Sequence, residues 1–221
     1  EGSISAEGSP GDPFRDIQDG IDAAAEDDTV LVLPGTYAGA GNRPDNRELE
    51  FASDDDSAKN IVLKSRDGAA TTFIDSRNYR AFEIDDGTDT TLHIIGFTIT
   101  STSGGKYDGG GALVGIQGQS YWDQNTQQYV SVPSSASFRN CIFTIFDSGS
   151  LQGVDLQDVA ILVNIGGAIF DNCEFTNITV DYTNYVYGDG NGGAVRMYCG
   201  ALYISRSKLT NITVSRTDNG W

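Results

Sequence analysis

Residues 168–180, AIFDNCEFTNITV, return at 201–214 as ALYISRSKLTNITV. Asn177 and Asn211 stand 34 residues apart, and so do Phe175 and Leu209. Two positions that keep one spacing mark a stacked structural repeat. A weaker copy, ASFRNCIFT at 136–144, offers Phe143 for the slot of Phe175 and Leu209, and LHIIGFTIT at 92–100 offers Phe97. Within each copy apolar and polar residues alternate, the period of a strand with one buried face. Such a strand cannot bury that face alone. Stacking the copies roughly 4.8 Å apart builds a continuous core, with further strands closing each coil. The expected fold is all-β: a right-handed parallel β-helix, or solenoid, of at least four rungs, its hand following the bias of parallel crossovers.

Working towards the N-terminus, TVLVLPGTY at 29–37 reads as a buried strand stopped by Pro34 and Gly35. Before it, Phe14, Ile17, Ile21, Ala24 and Ala25 recur at helical spacing, with Asp12 as the expected cap and Pro13 at the first helical position. The expected organisation is an irregular lead-in over 1–12, an amphipathic capping helix over 13–28, and a β-helix over 29–221 that is open at its C-terminal end. The helix would cover the first rung. At the other end KLTNITVSRTDNGW stops one strand after a full repeat, so either the molecule continues or another subunit stacks head to tail.

The segment PFRDIQDGIDAAAEDDTVLVLPGTY at 13–37 resembles the N-terminal cap and first coil of the pectin-lyase-like superfamily of right-handed parallel β-helices. The segments NIVLKS, FEIDDG, LHIIGFTIT, GGALVG, GGAIFDNCEFTN and GGAVRM resemble its later coils, so the likeness covers residues 13–215. It implies the fold. It leaves the function open, because this fold carries lyases, hydrolases, adhesins and passive spacers.

The 221 residues suit one domain, and 38% hydrophobic content suffices for a narrow core. No apolar run reaches the roughly 18 residues that span a bilayer, and no signal peptide opens the chain. The start at Glu1 without Met is read as processing, and with it secretion. The net charge of −17 is concentrated in residues 1–100, with 21 acidic and 8 basic side chains. Such a surface repels phosphates and anionic lipid, so neither nucleic acid nor membrane is an expected partner, whereas glycans and other copies of the chain are. Three cysteines are too few for a disulfide scaffold. Cys141 and Cys173 share a repeat position, where they either bridge or stack as apolar thiols; Cys199 has no partner by register.

Polysaccharide-cleaving members of the resembled superfamily carry clustered aspartates with His, Arg or Lys. This chain has one histidine, His93, between apolar neighbours on a strand, and its aspartate groups at 54–56 and 85–89 lack the segments that would accompany them. Arg139, Arg196, Arg206 and Lys208 form no evident ladder. No catalytic residue is therefore assigned. Asp85, Asp86 and Asp89 around Gly87 are the metal candidates, with Ca²⁺ the cation; a solvated turn is the rival reading. No other cofactor is expected. The Gly-Gly-Ala breaks at 110–112, 166–168 and 192–194 lack the lysine and the strand-to-helix context of a phosphate loop, and read as corners where backbones stack closely.

Asn177-Ile-Thr and Asn211-Ile-Thr match the N-glycosylation acceptor, and their shared repeat position also fits an asparagine stack at a corner. Three long segments, at 38–59, 117–135 and 181–191, read as corner loops, where a solenoid carries its recognition. Tyr121, Trp122, Tyr182, Tyr185 and Tyr187 are candidate stacking platforms for sugar rings. The leading expectation is a non-catalytic structural or adhesive module, extracellular or at the cell surface, as a subunit or segment of a filament, an appendage or a cell-surface protein. The competing ones are the N-terminal part of a polysaccharide lyase or glycoside hydrolase, and a carbohydrate-binding module.

Overall fold

A computed structural model describes residues 7–38, 46–52, 57–77, 79–85, 87–100, 112–147, 159–181 and 194–215. One helix, α1 (Ile17–Ala23), precedes the strands β1 (Thr29–Val32), β2 (Gly35–Ala38), β3 (Leu49–Glu50), β4 (Val62–Ser65), β5 (Thr72–Asp75) and β6 (Phe82–Ile84). They continue as β7 (His93–Ile95), β8 (Thr98–Thr100), β9 (Ala112–Gln117), β10 (Gln119–Asp123), β11 (Gln128–Val132) and β12 (Ser134–Arg139). The series ends with β13 (Ile142–Asp147), β14 (Val159–Asp171), β15 (Glu174–Asp181), β16 (Val195–Ser205) and β17 (Lys208–Ser215).

These strands coil into a parallel β-solenoid with three faces. One face stacks β3, β6, β9 and the first halves of β14 and β16; the next stacks β1, β4, β7, β12 and the second halves of β14 and β16. The third is a six-stranded sheet in the order β2, β5, β8, β13, β15, β17. Every ladder between rungs is parallel, and β10 with β11 forms an antiparallel hairpin that interrupts one coil.

Alternation along each strand supplies the core. Leu63, Ile94, Phe138, Phe170 and Ile204 make one inward column, and Tyr37, Ile74, Ile99, Phe143, Phe175 and Leu209 make another. Phe138 stacks on Phe170 at 5.1 Å and Phe143 on Phe175 at 4.9 Å, close to the spacing of neighbouring strands. Edge contacts such as Phe143 against Phe170 at 5.7 Å join the two columns. The slot expected for Phe97 belongs to Ile99. The repeats align through a corner residue with positive φ, namely Gly96, Asn140, Asn172 or Arg206, and that alignment puts Phe97 level with Cys141 and Cys173.

The helix is shorter than the expected 13–28, and Asp12 does not cap it. Asp12 forms a bridge with Ser9, and the N-cap is Asp16 in extended conformation. The cap is tertiary: Asn46 Oδ1 accepts the Ile17 N–H at 2.9 Å and Asn46 Nδ2 donates to Asp16. At the other end buried Lys59 donates through Nζ to the carbonyls of Ile21 and Asp22, both at 3.0 Å, placing a cation where the helix dipole favours one. Ala24 is already extended, and Asp27 at φ 65 turns the chain into β1. Ile17 and Ile21 seal the first rungs.

At the far end, the last described rung exposes Tyr203 (67%), Leu209 (53%), Ile204 and Met197. No described helix is long and apolar enough to cross a membrane.

Candidate recognition site

The segment 117–135, expected as a loop, is mostly the β10–β11 hairpin. Register pairs Ser120 with Ser131 and Trp122 with Tyr129, so all four project from one side of the ribbon. All four are exposed, Trp122 at 49% and Tyr129 at 75%. The two rings meet edge to face at 5.1 Å, and the two serine hydroxyls lie 3.0 Å apart. The turn is held from within: Asp123 accepts the Asn125 N–H and the Thr126 hydroxyl, both at 2.8 Å, and Gln127 takes φ 51. The same hydrogen bonds pull the Asp123 carboxyl below its ordinary range.

At its base the ribbon touches the solenoid through Val132. Val132 lies over Gly87, where a Cβ would stand 2.8 Å from Val132 Cγ1 and where φ is 83. Gly87 donates its N–H to Ser134 Oγ at 3.1 Å, joining the preceding turn to the strand that follows the hairpin. A hairpin alone is marginal in water, and these contacts tie its base to the solenoid.

Beside the hairpin base, a shallow groove of about 310 Å³ runs across the outer side of the second face. Ser135, Gly167 and Ala201, one position on three successive rungs, form its small-residue floor; Pro133 and Thr90 form one wall and Tyr203 another. Close backbone stacking shapes its edge. A Cβ on Gly166 would meet Ser134 O at 1.9 Å, and one on Gly200 would meet Gly166 O at 1.7 Å, so the Gly-Gly-Ala break at 166–168 is a corner of closely stacked backbone; the glycines of the breaks at 110–112 and 192–194 lie outside the described residues. Farther along the same outer surface, His93 Nδ1 and Ser137 Oγ occupy neighbouring rungs, buried and without a hydrogen-bond partner among the described residues. Burial, then the Arg139 charge, holds the His93 ring below its ordinary pKa.

The other sequence candidates are dispersed. Tyr182, Tyr185 and Tyr187 lie outside the described residues, as does Asp86; Tyr121 is on β10, its backbone paired with Val130. Asp89 spends its carboxylate on the Thr91 N–H at 2.6 Å and hydroxyl at 2.5 Å, which lowers its pKa. Among the described residues no group of three His, Cys, Asp or Glu is arranged to hold a metal ion. Asn177 and Asn211 are exposed, both at φ 53, and Asn211 Nδ2 donates to Asn177 Oδ1 at 3.2 Å; Asn172 and Asn140 repeat the arrangement at 2.8 Å. Cys141 and Cys173 are buried free thiols, and Cys199 is an exposed one. Arg206, with Ser205, clasps Asp171 through both carboxylate oxygens and holds its pKa at about 2.

A charged cluster that the sequence reading missed lies on the first face. Arg80 pairs with Glu83 at 2.9 Å and lies over Gly115, where a Cβ would come within 3.1 Å of its guanidinium. The Arg47 guanidinium covers the Tyr79 ring at 3.4 Å. Glu48 stands among these groups with its pKa raised, chiefly by burial and also by Glu83, against the opposing pull of Arg47 and Arg80. Glu83 and Gly115 share a ladder position, yet no motif flags it, because the partners come from different coils.

No protein-family model, curated protein or solved structure matches the chain.

Proposed function

We propose that this chain is a non-catalytic, extracellular adhesive module in which a β-solenoid of the pectin-lyase-like kind holds the β10–β11 hairpin out as its docking element. The observation that carries this reading is the exposed Trp122–Tyr129 pair, flanked by Ser120 and Ser131 on one side of an anchored ribbon. Paired aromatic faces with hydroxyls beside them suit the apolar faces and hydroxyl edges of a sugar ring. The acidity of the chain directs the choice to neutral glycans. The exposed Asn177 and Asn211 acceptor sequences support secretion and glycosylation in this reading. Retention on a panel of immobilised neutral polysaccharides tests it: the intact chain should be retained by at least one, and the Trp122→Ala/Tyr129→Ala variant by none. Equal retention of both proteins would reject the hairpin as the docking element.

Head-to-tail self-association is the second part of this proposal, supported by the inward-column residues Ile204 and Leu209, which are exposed on the last described rung. Sedimentation across a concentration series should show mass growing beyond that of one chain, and a constant monomer mass would remove it.

The hydrolase reading is favoured by a separate observation, Glu48 with its raised pKa close to the Glu83–Arg80 pair on a solvent-facing sheet. Reducing-end release from a neutral glycan, abolished in Glu48→Gln, would establish it. No release by the intact chain would exclude it.

A further inference from the structure

Phe97, Cys141, Cys173 and Ser207 form one inward column at the corner between the second and third faces, each immediately before its strand of the third sheet. The register is continuous at the two cysteines: the Glu174 N–H donates to the Cys141 carbonyl at 2.9 Å, and the Lys208 N–H to the Cys173 carbonyl at 2.9 Å. Neighbouring rungs place equivalent Cα atoms about 4.8 Å apart, inside the roughly 4.4–6.8 Å that a disulfide spans. Both thiols are buried, at 1% and 3% exposure; each makes weak contacts to carbonyl oxygens, at 3.4–3.6 Å, and the two thiols also contact each other. The next positions of the column are Phe97 on one side and the small Ser207 on the other.

We propose that Cys141 and Cys173 are a cross-rung redox pair, free thiols in the reduced protein and a disulfide staple between the coils of β13 and β15 once the chain meets a small-molecule disulfide. The two thiols differ in chemistry. In the folded protein burial pushes Cys141 well up and hydrogen bonding from Cys141 draws Cys173 down; before the coils close neither influence acts, so either thiol can react first as its thiolate, here Cys173. Its sulfur attacks one sulfur of the oxidant disulfide, breaking that S–S bond and releasing one thiolate. Cys141 then loses its proton to solvent and attacks the Cys173 sulfur of the mixed disulfide, releasing the second thiol. Two protein thiols are oxidised by two electrons, and one oxidant disulfide is reduced to two thiols. Burial makes the native pair slow to react, so the staple forms readily only before the coils close. This inference is independent of the hairpin reading.

The test uses the full chain with Cys199→Ser, which removes the exposed thiol. The protein is unfolded and refolded in a glutathione buffer dominated by the oxidised form, denatured with iodoacetamide, and weighed intact. The expected result is a chain with no alkyl groups and no glutathione, which gains two alkyl groups only after reduction. Two alkyl groups before reduction, or glutathione retained on one cysteine, would overturn the proposal. A coil-length loop closed by a disulfide should raise the melting midpoint by roughly 5–10 °C, so the stapled form should lose that margin on reduction. An unchanged midpoint would also overturn it. Cys141→Ala in the same background, a change made tolerable by the small Ser207 at the equivalent position, should show neither effect.

Discussion

Gly87 shows how one residue sets the position of the proposed site. Its φ of 83 and the 2.8 Å approach of Val132 leave no room for a side chain. Gly87→Ala should cost about 1–3 kcal/mol in chemical denaturation and loosen the hairpin, read as faster amide exchange over β10 and β11. A variant as stable and as protected as the parent would show that Val132 does not anchor the ribbon there. His93 is the only histidine, so its proton resonances report one site. Its pKa should lie below the ordinary 6.5, because the folded ring binds its proton more weakly than the unfolded chain does. The corresponding stability is fully present above pH 6.5 and declines as pH falls below it. An NMR titration giving a value above 6.5 would contradict the buried placement of Nδ1. The corner residues were the hidden key at this scale. Gly96, Asn140, Asn172 and Arg206 share a left-handed backbone but not a residue type, so matching by aromatic character pulled Phe97 two places away from its true equivalence.

Among the elements, α1 and the hairpin diverge from what local patterns suggest for the same reason. Their ends are decided by partners far away in sequence. Asn46 and Lys59, about 30 and 38 residues from the groups they cap, define the helix, and neither is visible in a local capping pattern. Lys59→Met should remove two charge-assisted bonds to the Ile21 and Asp22 carbonyls and cost about 1.5–3 kcal/mol, measured by urea denaturation; no loss would show that the helix end is satisfied without it. The hairpin was in principle legible, since Tyr121, Trp122, Tyr129 and Val130 flank the turn formers Asp123 and Asn125. Tyr129 as the partner of Trp122 follows from that pairing and from nothing else in the sequence. Because the pair is exposed, Trp122→Ala/Tyr129→Ala should cost no more than about 1.5 kcal/mol, the worth of the cross-strand aromatic contact, so loss of binding by a variant that stays folded can be read as loss of contact.

The whole molecule is a stack, and its behaviour in acid follows from groups spread along the outside of that stack. Asp171, held at about 2 by Arg206 and Ser205, contributes stability that is present above the ordinary carboxylate value of 3.8 and is lost as pH falls from there through about 2. Asp89 and Asp123 shift in the same direction. Circular dichroism should therefore show an acid transition below about pH 4, and Asp171→Asn should make it shallower; a parent protein insensitive to pH down to about 2 would contradict these pairings. The repeat was legible because Asn177 and Asn211, with Phe175 and Leu209, recur at a fixed interval in adjoining rungs. The charged cluster was not, since the local Arg80–Glu83 pair meets Glu48 and Gly115 only when separate coils stack. The central claim is that this stack serves to hold one aromatic pair in the open. Its most direct measurement is an ¹⁵N spectrum of the two tryptophan indoles, Trp122 and Trp221, during titration with a retained neutral oligosaccharide. The account predicts that the Trp122 signal, identified by its loss in Trp122→Ala, shifts saturably with sugar concentration. A Trp122 signal that stays fixed while the sugar binds would contradict it.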